Sequence, residues 1–244
     1  MIKINNLSYK IDQKTIFKNL TLDVSKSQIV TIMAPSGRGK TTLLKLISGL
    51  LISTSGEIFH ENLKITAPSK KRVIIFQDHL LFPWMTAKEN IDFVLKAQNK
   101  SIEMSLHFLN LVKLANAQNL YPHQLSGGMK QRVGIARALA SNPEILLLDE
   151  PFASIDPIIR NEIIQEIKVL VREFNLTVFL VTHNIEEALY FSDRIIVLGN
   201  QSDDIAEDIL INMDKTESIM ALKKYPLFSE FEEKIYNLLK KGLE

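Results

Sequence analysis

The sequence contains no cysteine among its 244 residues. This absence removes disulfides, thiolate metal sites and cysteine nucleophiles together, and it favours a reducing compartment. An excess of one charge is also missing, because 29 basic and 28 acidic residues leave a net charge of +1. A balance this close to neutral creates no global field that would attract nucleic acid or an anionic membrane surface.

Long apolar runs are absent as well. No run approaches the roughly 18 to 20 residues needed to cross a bilayer, and residues 1–6 lack the basic start and apolar core of a signal peptide. The hydrophobic fraction of 46% is ordinary for a globular protein, and the length suffices for a full core. We therefore expect that any work at a membrane is done through a partner protein.

The chain is organised around residues 34–42, which read Ala-Pro-Ser-Gly-Arg-Gly-Lys-Thr-Thr. An apolar run at 29–33 precedes them and an apolar-periodic run at 43–47 follows, which predicts a strand, a loop and a helix. In a phosphate-binding loop, glycines let backbone N–H groups turn toward phosphate oxygens, and the positive end of the next helix favours negative charge.

The pattern G-x-x-x-x-G-K-[ST] is matched at Gly39, Lys40 and Thr41, whereas its first position holds Ala34. The added methyl is harmless only if the backbone there has φ below zero. Lys40 would reach the β- and γ-phosphates, Thr41 would place its hydroxyl on Mg²⁺, and Thr42 would donate on the α-phosphate side. The candidate nucleotide-binding residues of the loop are Ala34, Pro35, Ser36, Gly37, Arg38, Gly39, Lys40, Thr41 and Thr42. The alternative is a turn rich in glycine and serine that happens to join a strand to a helix.

Two acids follow the apolar residues 145–148, which resemble a fully buried strand of a parallel sheet. Ligands bind at the carboxyl ends of such strands. Asp149 is suited to hold Mg²⁺ through its water shell, and Glu150 to act as base on the attacking water. His183 follows the predicted strand at 177–181, where the other carboxyl ends gather. Two solvated acids and a structural histidine are the alternatives.

Hydrophobic periodicity predicts an alternation of strands and helices along the chain. Further strands are predicted at 2–9, 15–24, 57–60, 73–76 and 194–198, and helices at 87–97, 101–114, 158–174, 185–191 and 228–239. No strand candidate interrupts the first two of these helices, which indicates a helical insertion. The tail after residue 200 has two acidic pairs, Asp203-Asp204 and Glu207-Asp208, which are interpreted as acidic breaks between secondary-structure elements. The tail suggests no mechanism.

Another helix begins at residues 125–128, with Ser126 as its N-cap. Gly127 and Gly128 expose backbone N–H groups at this helix start, which predicts a second anion site, since a simple cap would not explain two glycines. Tyr9, just before a polar turn at 10–14, is interpreted from periodicity as a half-buried strand aromatic. Residues 80–85 form an apolar loop, for which burial against the next helix and a docking surface for another chain both stay open.

Taken in their order along the chain, these sites resemble the ATP-hydrolysing subunit of ABC transporters over roughly residues 1–200. Residues 125–132, Leu-Ser-Gly-Gly-Met-Lys-Gln-Arg, resemble the family's signature motif, and residues 154–156 its D-loop. Gln77 matches the Q-loop glutamine and His183 the switch histidine. The resemblance implies an α/β fold with a P-loop NTPase core, a mainly parallel sheet, an N-terminal antiparallel β-subdomain and a helical subdomain carrying the signature motif. Residues 1–244 would form one ABC ATPase domain, with its ATP-binding core at 1–78 and 143–200, the helical subdomain at 79–142 and a C-terminal extension at 201–244.

The resemblance also assigns roles to single residues. Tyr9 would stack on adenine, a contact worth about 1–3 kcal/mol by analogy with nucleic-acid bases on proteins. Ser126, Gly127 and Gly128 would bind the γ-phosphate held by a second subunit, so that two chains sandwich two ATP molecules. The remaining implied roles are catalytic for Glu150, His183 and Gln77, metal-binding for Thr41, Gln77 and Asp149, and nucleotide contact from the D-loop for Asp156.

Residues 76–90, Phe-Gln-Asp-His-Leu-Leu-Phe-Pro-Trp-Met-Thr-Ala-Lys-Glu-Asn, resemble importers of the nitrate, sulfonate, taurine and thiamine-precursor group. With that resemblance, Phe82 and Trp84 favour the docking interpretation. The implied partners are a second ATPase subunit, most simply another copy, two transmembrane permease subunits and an external solute-binding protein, at the cytoplasmic side of the membrane and without nucleic acid. Asn184 departs from the family, in which an Asp usually follows the histidine, and this bears on the orientation of His183.

Two other functions compete with transport. A soluble ABC ATPase acting on nucleic acid or cluster assembly would need a long coiled-coil insertion, a duplicated cassette or a basic face, and the sequence has none of these. A nucleotide-binding assembly module would bind ATP through the altered loop without turnover. A steady-state phosphate-release assay separates that module from an ATPase.

Overall fold

The structure is a computed structural model that describes residues 1–78, 80–199, 205–213 and 219–241. The strands in these residues are β1 (Ile2–Ile11), β2 (Lys14–Val24), β3 (Ile29–Met33), β4 (Ser55–His60), β5 (Leu63–Lys64), β6 (Arg72–Ile75), β7 (Ile145–Asp149), β8 (Thr177–Val181), β9 (Arg194–Leu198) and β10 (Ile205–Leu210). The helices are α1 (Lys40–Ser48), α2 (Ala87–Ala97), α3 (Met104–Leu111), α4 (Gly127–Ala140), α5 (Pro157–Glu173), α6 (Ile185–Phe191), α7 (Ile219–Leu222) and α8 (Pro226–Lys241). Of the residues used in the predictions, His79, Asp203 and Asp204 lie outside the described ranges.

The strands form an antiparallel sheet and a mainly parallel one. The antiparallel sheet has the order β2-β1-β4-β5, and the larger sheet has the order β10-β9-β3-β8-β7-β6. Neighbours from β9 to β6 run parallel, and β10 pairs antiparallel with β9. This confirms the predicted α/β class with an N-terminal antiparallel sheet. The predicted five-residue turn at 10–14 is shorter, because β1 continues to Ile11 and Asp12 makes a tight turn at φ 52°.

Each strand at the centre of the larger sheet is buried on both faces. In β3, Ile29 and Met33 pack into a core with the helices α2 to α6 and α8, whereas Val30 and Ile32 pack into a second core with α1 and the antiparallel sheet. Successive strand side chains point to opposite faces, so a strand covered on both sides needs apolar side chains on both faces. This is why the central strands appear in the sequence as nearly continuous apolar runs. Two buried threonines within them, Thr31 and Thr177, are hydrogen-bonded to Ser192 and to the Ser27 amide.

The region between β6 and β7 is helical. In the described residues from 80 to 144 no strand occurs, as predicted. The α2 helix has the predicted bounds, and a capping box fixes its start, with Thr86 Oγ accepting from the Glu89 amide and the Glu89 carboxylate accepting from the Thr86 amide. The α3 helix is shorter than the predicted 101–114, because Lys113 adopts φ 57° and a 3₁₀ turn, Ala115–Ala117, follows it.

The interpretation of Glu207 and Asp208 as an acidic break between secondary-structure elements is wrong. Both lie on β10, where the carboxylate of Asp208 accepts from Arg194 Nε on β9 at 2.7 Å, and Lys234 of α8 lies 3.3 Å from Glu207. These pairs offset the low strand propensity of acidic residues. The α8 helix extends two residues beyond each end of its predicted range 228–239 and packs on α6 and β9. None of the helices in the described ranges is both long enough and apolar enough to span a bilayer.

The sheet register brings the ends of four strands to one edge. Val181 of β8 aligns with Ile32 of β3 on one side and with Asp149 of β7 on the other, and Ile75 of β6 aligns with Leu148 of β7. The segments that leave these carboxyl ends therefore start at one level. They carry the phosphate loop, Gln77, the two acids and His183.

Candidate active site

The phosphate loop joins β3 to α1 through glycines in the left-handed region. Gly37 has φ 76° and Gly39 has φ 81°, and Gly39 is the N-cap of α1 without a side-chain cap. The first amides of α1 therefore receive no side-chain acceptor, and they point with the positive helix end into the loop. This is the arrangement that an anionic phosphate group requires.

Ala34 fits the loop despite its methyl group. It is buried at the end of β3, and it is not among the non-glycine residues with positive φ in the described chain. The condition set by the sequence, φ below zero at this position, is met. The missing first glycine therefore leaves the loop conformation intact.

Gly37 and Gly39 differ in the space around them, which gives a prediction. A Cβ on Gly39 would lie 2.4 Å from Ile16 Cγ2, whereas one on Gly37 would meet nothing within 4 Å. Both Gly→Ala changes carry the left-handed penalty of about 1–2 kcal/mol. Gly39→Ala should lose about 1–3 kcal/mol more, because the β-branched Ile16 is restricted at χ1 and can turn its Cγ2 away only into an unfavourable rotamer.

Urea unfolding of Gly37→Ala and Gly39→Ala measures this difference directly. The midpoint of Gly39→Ala should fall clearly below that of Gly37→Ala, which serves as the matched control. Equal midpoints would show that the hairpin residue Ile16 does not constrain the loop.

Lys40 and Thr41 connect the loop to the metal-binding candidate Asp149. Lys40 Nζ donates to the carbonyl oxygens of Ala34 at 2.8 Å and Pro35 at 3.2 Å. Burial lowers the pKa of Lys40, and the charges of Glu150 and Asp149 oppose that shift. Burial raises the pKa of Asp149, while a hydrogen bond from Thr41 lowers it. The Thr41 hydroxyl and the Asp149 carboxylate thus form an adjacent oxygen pair, which is the ligand type that Mg²⁺ takes.

Glu150 and His183, the two candidates for hydrolysis, face each other. His183 Nδ1 lies 3.1 Å from Glu150 Oε2, across the ends of β7 and β8. The Glu150 backbone has φ 47° and its N–H donates to the carbonyl of Val181 at 2.9 Å, which turns the side chain out of the strand. Strained non-glycine backbone of this kind persists where the surrounding structure enforces it, and functional sites are where it clusters.

The other predicted residues lie around this centre at differing positions. Gln77 is exposed just after β6. The guanidinium of Arg38 donates through Nε to the carbonyl of Gly199 at 2.9 Å. Tyr9 is half-buried on β1 opposite Phe17, whose neighbour Ile16 touches the phosphate loop at Gly39. That position agrees with the strand-aromatic interpretation, and adenine stacking stays a prediction.

Ser126 is the N-cap of α4, as predicted, and its Oγ accepts from the Met129 amide at 3.3 Å. Close packing gives a second reason for one of the two glycines that follow Ser126. A Cβ on Gly127 would lie 2.6 Å from the backbone carbonyl oxygen of Ser154, whereas a Cβ on Gly128 would lie 2.7 Å from Cδ1 at the flexible end of Ile163. Packing therefore accounts for Gly127 and not for Gly128, and the anion site stays a prediction.

Asp156 serves as the N-cap of α5. Its Oδ1 accepts from the Ile158 amide at 2.8 Å. The carboxylate therefore has a structural partner in its own helix. A nucleotide contact from Asp156 stays a prediction.

Sequence reasoning missed several buried polar residues, of which Glu187 and Thr182 lie beside the site and Asn90 lies on α2. Glu187, Thr182 and Asn90 are almost fully buried, and each is hydrogen-bonded. In the sequence, Glu187 has the pattern of an acid in the first turn of a helix, which predicts only a favourable helix-dipole contact. No sequence signal marks its burial, which comes from tertiary packing.

Comparison with known proteins agrees with this geometry. The family model described as ABC transporter matches residues 17–153. The chain is 36% identical to the aliphatic sulfonates import ATP-binding protein SsuB of Bacillus thuringiensis over 240 residues, which covers 95% of this chain and 96% of that protein. It is 34% identical to the nitrate import ATP-binding protein NrtD of Synechocystis over 232 residues, 91% of this chain and 87% of that protein.

A solved structure has the same fold. The ATP-binding cassette MJ0796, in a dimeric post-hydrolysis state bound to ADP and Pi, is 33% identical with a TM-score of 0.75, covering 87% of this chain and all of that one. The chain belongs to the ABC transporter family. Within that family it is the ATP-hydrolysing cassette.

Proposed function

We propose that this chain is the ATP-binding and ATP-hydrolysing subunit that powers an importer of a small solute, of the nitrate, sulfonate, taurine and thiamine-precursor type. The observation that carries the ATPase part is the meeting of the phosphate loop, Asp149 and the Glu150–His183 pair at one sheet edge. The importer part is supported by relatives whose names state sulfonate and nitrate import.

In the proposed mechanism, the loop amides and Lys40 bind the phosphates of ATP, and Tyr9 stacks on the adenine. Thr41, Asp149 and Gln77 would hold Mg²⁺, which when bound neutralises charge on the phosphate oxygens. Glu150 polarises the attacking water and takes its proton at a carboxylate oxygen. His183, held 3.1 Å from that carboxylate, contacts the γ-phosphate. Catalysis then consists mainly of positioning and charge stabilisation.

A second ATPase subunit, most simply another copy, would complete the site. The neighbouring cassette MJ0796 is dimeric by its title. Ser126, Gly127 and Gly128 of one chain, together with Asp156, would face the nucleotide bound by the other. This arrangement is supported by the hydrogen bonds of Ser126, which in the described chain are made within its own helix and leave its outer face for a partner.

An apolar loop and helix face form the proposed docking surface for the permease subunits. Trp84 is 69% exposed, and the rings of Phe82 and Phe93 lie 4.8 Å apart beside it. A cleft of about 310 Å³ is lined by Trp84, Met85, Glu89, Asp92, Phe93 and Lys96. Exposed aromatic side chains beside a cleft are typical of protein interfaces rather than of open solvent.

Polar contacts hold this docking surface in place. Asn90 accepts from the Phe82 amide at 2.9 Å and donates to the carbonyls of Met85 and Thr86. Arg137 of α4 donates to the carbonyl of Leu80 at 2.9 Å. Because α4 begins at the signature motif, a displacement of the loop would be felt at the proposed nucleotide interface.

The remaining parts of the proposal concern organisation and location. The ATP-binding core would comprise 1–78 and 143–200, the helical subdomain 79–142 and the C-terminal extension 201–244. The chain would work as a peripheral subunit on the cytoplasmic side of the membrane, with an external solute-binding protein delivering the solute. No nucleic acid partner is proposed, since the net charge is +1.

Two measurements test the proposal. Purified chain with ATP and Mg²⁺ should release phosphate in steady state, and a chain that binds ATP without turnover would overturn the ATPase part. Co-expression with candidate permease pairs and binding proteins, followed by reconstitution in proteoliposomes, should give ATP-dependent uptake of nitrate, an alkanesulfonate, taurine or a thiamine precursor.

Trp84→Ala should abolish that uptake and leave phosphate release by the isolated chain unchanged. Uptake of none of these solutes would overturn the proposed importer type.

A further inference from the structure

A buried carboxylate lies behind the histidine turn of the site. Glu187 of α6 is 5% exposed, and its Oε2 accepts a hydrogen bond of 2.7 Å from the hydroxyl of Thr182, which is 2% exposed. Thr182 immediately precedes His183 in the chain. The nearest side-chain partner of this carboxylate is therefore one residue away from a proposed catalytic group.

Hydrogen bonds from backbone amides to side-chain oxygens close the same turn on the other side of His183. The Asn184 amide donates to Thr182 Oγ at 3.1 Å, and Asn184 Oδ1 accepts from the Glu187 amide at 3.0 Å. Thr182, Asn184 and Glu187 are thus joined by hydrogen bonds, and the first two of them flank His183 in the chain. Asn184 supplies the carbonyl oxygen that an Asp would supply, so this departure from the family pattern leaves the turn intact.

Glu187 is also joined to the segment that follows Glu150. Arg160 of α5 places Nη1 3.6 Å from Glu187 Oε1, and its Nη2 donates to the carbonyl of Ile155 at 2.9 Å. Ile155 lies in the D-loop-like stretch at 154–156. The chain of contacts therefore runs from that stretch through Arg160 and Glu187 to the residue before His183.

Leaving this carboxylate without partners would be costly. Burial raises the pKa of Glu187, while the Thr182 hydrogen bond and the charge of Arg160 act in the opposite direction. A buried acid is retained only where hydrogen bonds and an opposite charge compensate its desolvation. Thr182 directly precedes His183, and Arg160 contacts the stretch at 154–156, so the two compensating groups tie the carboxylate to both segments.

We propose that Glu187 is a positioning residue, which fixes His183 through Thr182 and links it through Arg160 to the stretch at 154–156. This inference rests on the proposed role of His183 at the γ-phosphate. The stretch at 154–156 lies next to the signature glycine Gly127. A shift of this stretch would then change the position of His183. Small errors in the position of a catalytic group reduce turnover strongly, by up to about 100-fold for a displacement near 1 Å.

The test compares kcat and KM for ATP in variants of the purified chain. Glu187→Gln should lower kcat about 10-fold or more, because the neutral amide can still accept from Thr182 but no longer pairs with the charge of Arg160. KM should change by less than about twofold, since the phosphate loop is untouched. Thr182→Val should behave likewise, whereas Thr182→Ser, which keeps the hydroxyl, should retain near wild-type kcat. Glu186→Gln is the matched control, because Glu186 is the preceding residue on α6 and pairs at the surface with Lys223.

A double variant separates positioning from general destabilisation. If Glu187 acts through His183, then adding Glu187→Gln to His183→Ala should cause no further loss of kcat, whereas a merely structural role would cause the same loss again. Equal kcat for Glu187→Gln and Glu186→Gln, or equal loss in Thr182→Ser and Thr182→Val, would overturn the inference. If His183→Ala itself keeps wild-type kcat, the proposed role of the histidine fails, and this inference fails with it. Loss in His183→Ala beside an unaffected Glu187→Gln overturns the inference alone.

Discussion

Glu150→Gln should reduce phosphate release by at least about 100-fold while ATP still binds, because a general base typically contributes 100-fold to 10,000-fold to a rate. The amide has nearly the size of the carboxylate but cannot accept the proton of the attacking water. Its oxygen can still accept from His183 Nδ1, which lies 3.1 Å from the carboxylate. The site should therefore keep its shape and lose only the base.

The same variant should change the oligomeric state with ATP. Removal of one negative charge beside the γ-phosphate lowers repulsion in the closed state, and without hydrolysis that state cannot be released. Light scattering should therefore report a dimer in the presence of ATP and Mg²⁺ and a monomer without them. A monomer that nevertheless binds ATP would mean that closure needs the permease subunits or a different second ATPase.

Glu144→Gln is the matched control for the measurement of phosphate release by Glu150→Gln. Glu144 directly precedes β7, at the opposite end from Glu150, and its carboxylate pairs with Lys71 at 2.6 Å. It is far from the phosphate loop along the strand, so turnover should remain near wild type. Comparable loss in both variants would show that the effect comes from weakening β7 and not from removing a base.

The location of the site could be predicted from sequence because the phosphate loop, the two acids and His183 each follow a predominantly apolar run. Such runs indicate strands buried on both faces, and these strands are parallel with their carboxyl ends at one edge. Residues as distant in sequence as Glu150 and His183 were thereby expected near one another, and the contact of 3.1 Å confirms it. Hydrophobic periodicity predicted the strands, and the parallel topology predicted that the residues after their carboxyl ends lie close together.

The signature glycines show where that reasoning fails. Their number suggested exposed amides, yet Gly127 also lies against the backbone carbonyl of Ser154, where a Cβ would not fit. Ser154 is 27 residues further along the chain (154 − 127). A sequence pattern records that a position must be small but does not record which distant segment makes it so.

Buried polar residues on helices could not be predicted for a related reason. Asn90 and Arg137 look like ordinary polar positions of α2 and α4, yet they bind the backbone of the apolar loop at 80–86. That loop has irregular backbone whose amides and carbonyls need partners, and side chains from two helices supply them. The side chains that serve as these partners can be recognised only from the three-dimensional position of the loop.

Lys40→Ala should weaken ATP binding about 10-fold to 150-fold, which corresponds to the loss of about 1.5–3 kcal/mol from hydrogen bonds to a charged group. The ammonium is held in the loop by the carbonyls of Ala34 and Pro35, at 2.8 and 3.2 Å. Burial lowers its pKa, while the charges of Glu150 and Asp149 act in the opposite direction. The loop therefore holds the partly desolvated amino group of Lys40 near the two carboxylates of the site.

Titration with a fluorescent ATP analogue measures the change, and Lys64→Ala is the control. Lys64 is exposed on β5 and pairs with Glu57 at 2.7 Å, so its loss removes one lysine without touching the loop. Affinity of Lys40→Ala within twofold of that control would contradict the assignment of this lysine to phosphate. The same loss of affinity with an unchanged urea midpoint would exclude a collapsed loop as its cause. In that case Lys40 contributes through its charge. An alanine at position 34 only adds a methyl group, whereas an alanine at position 40 removes the charged group that binds phosphate.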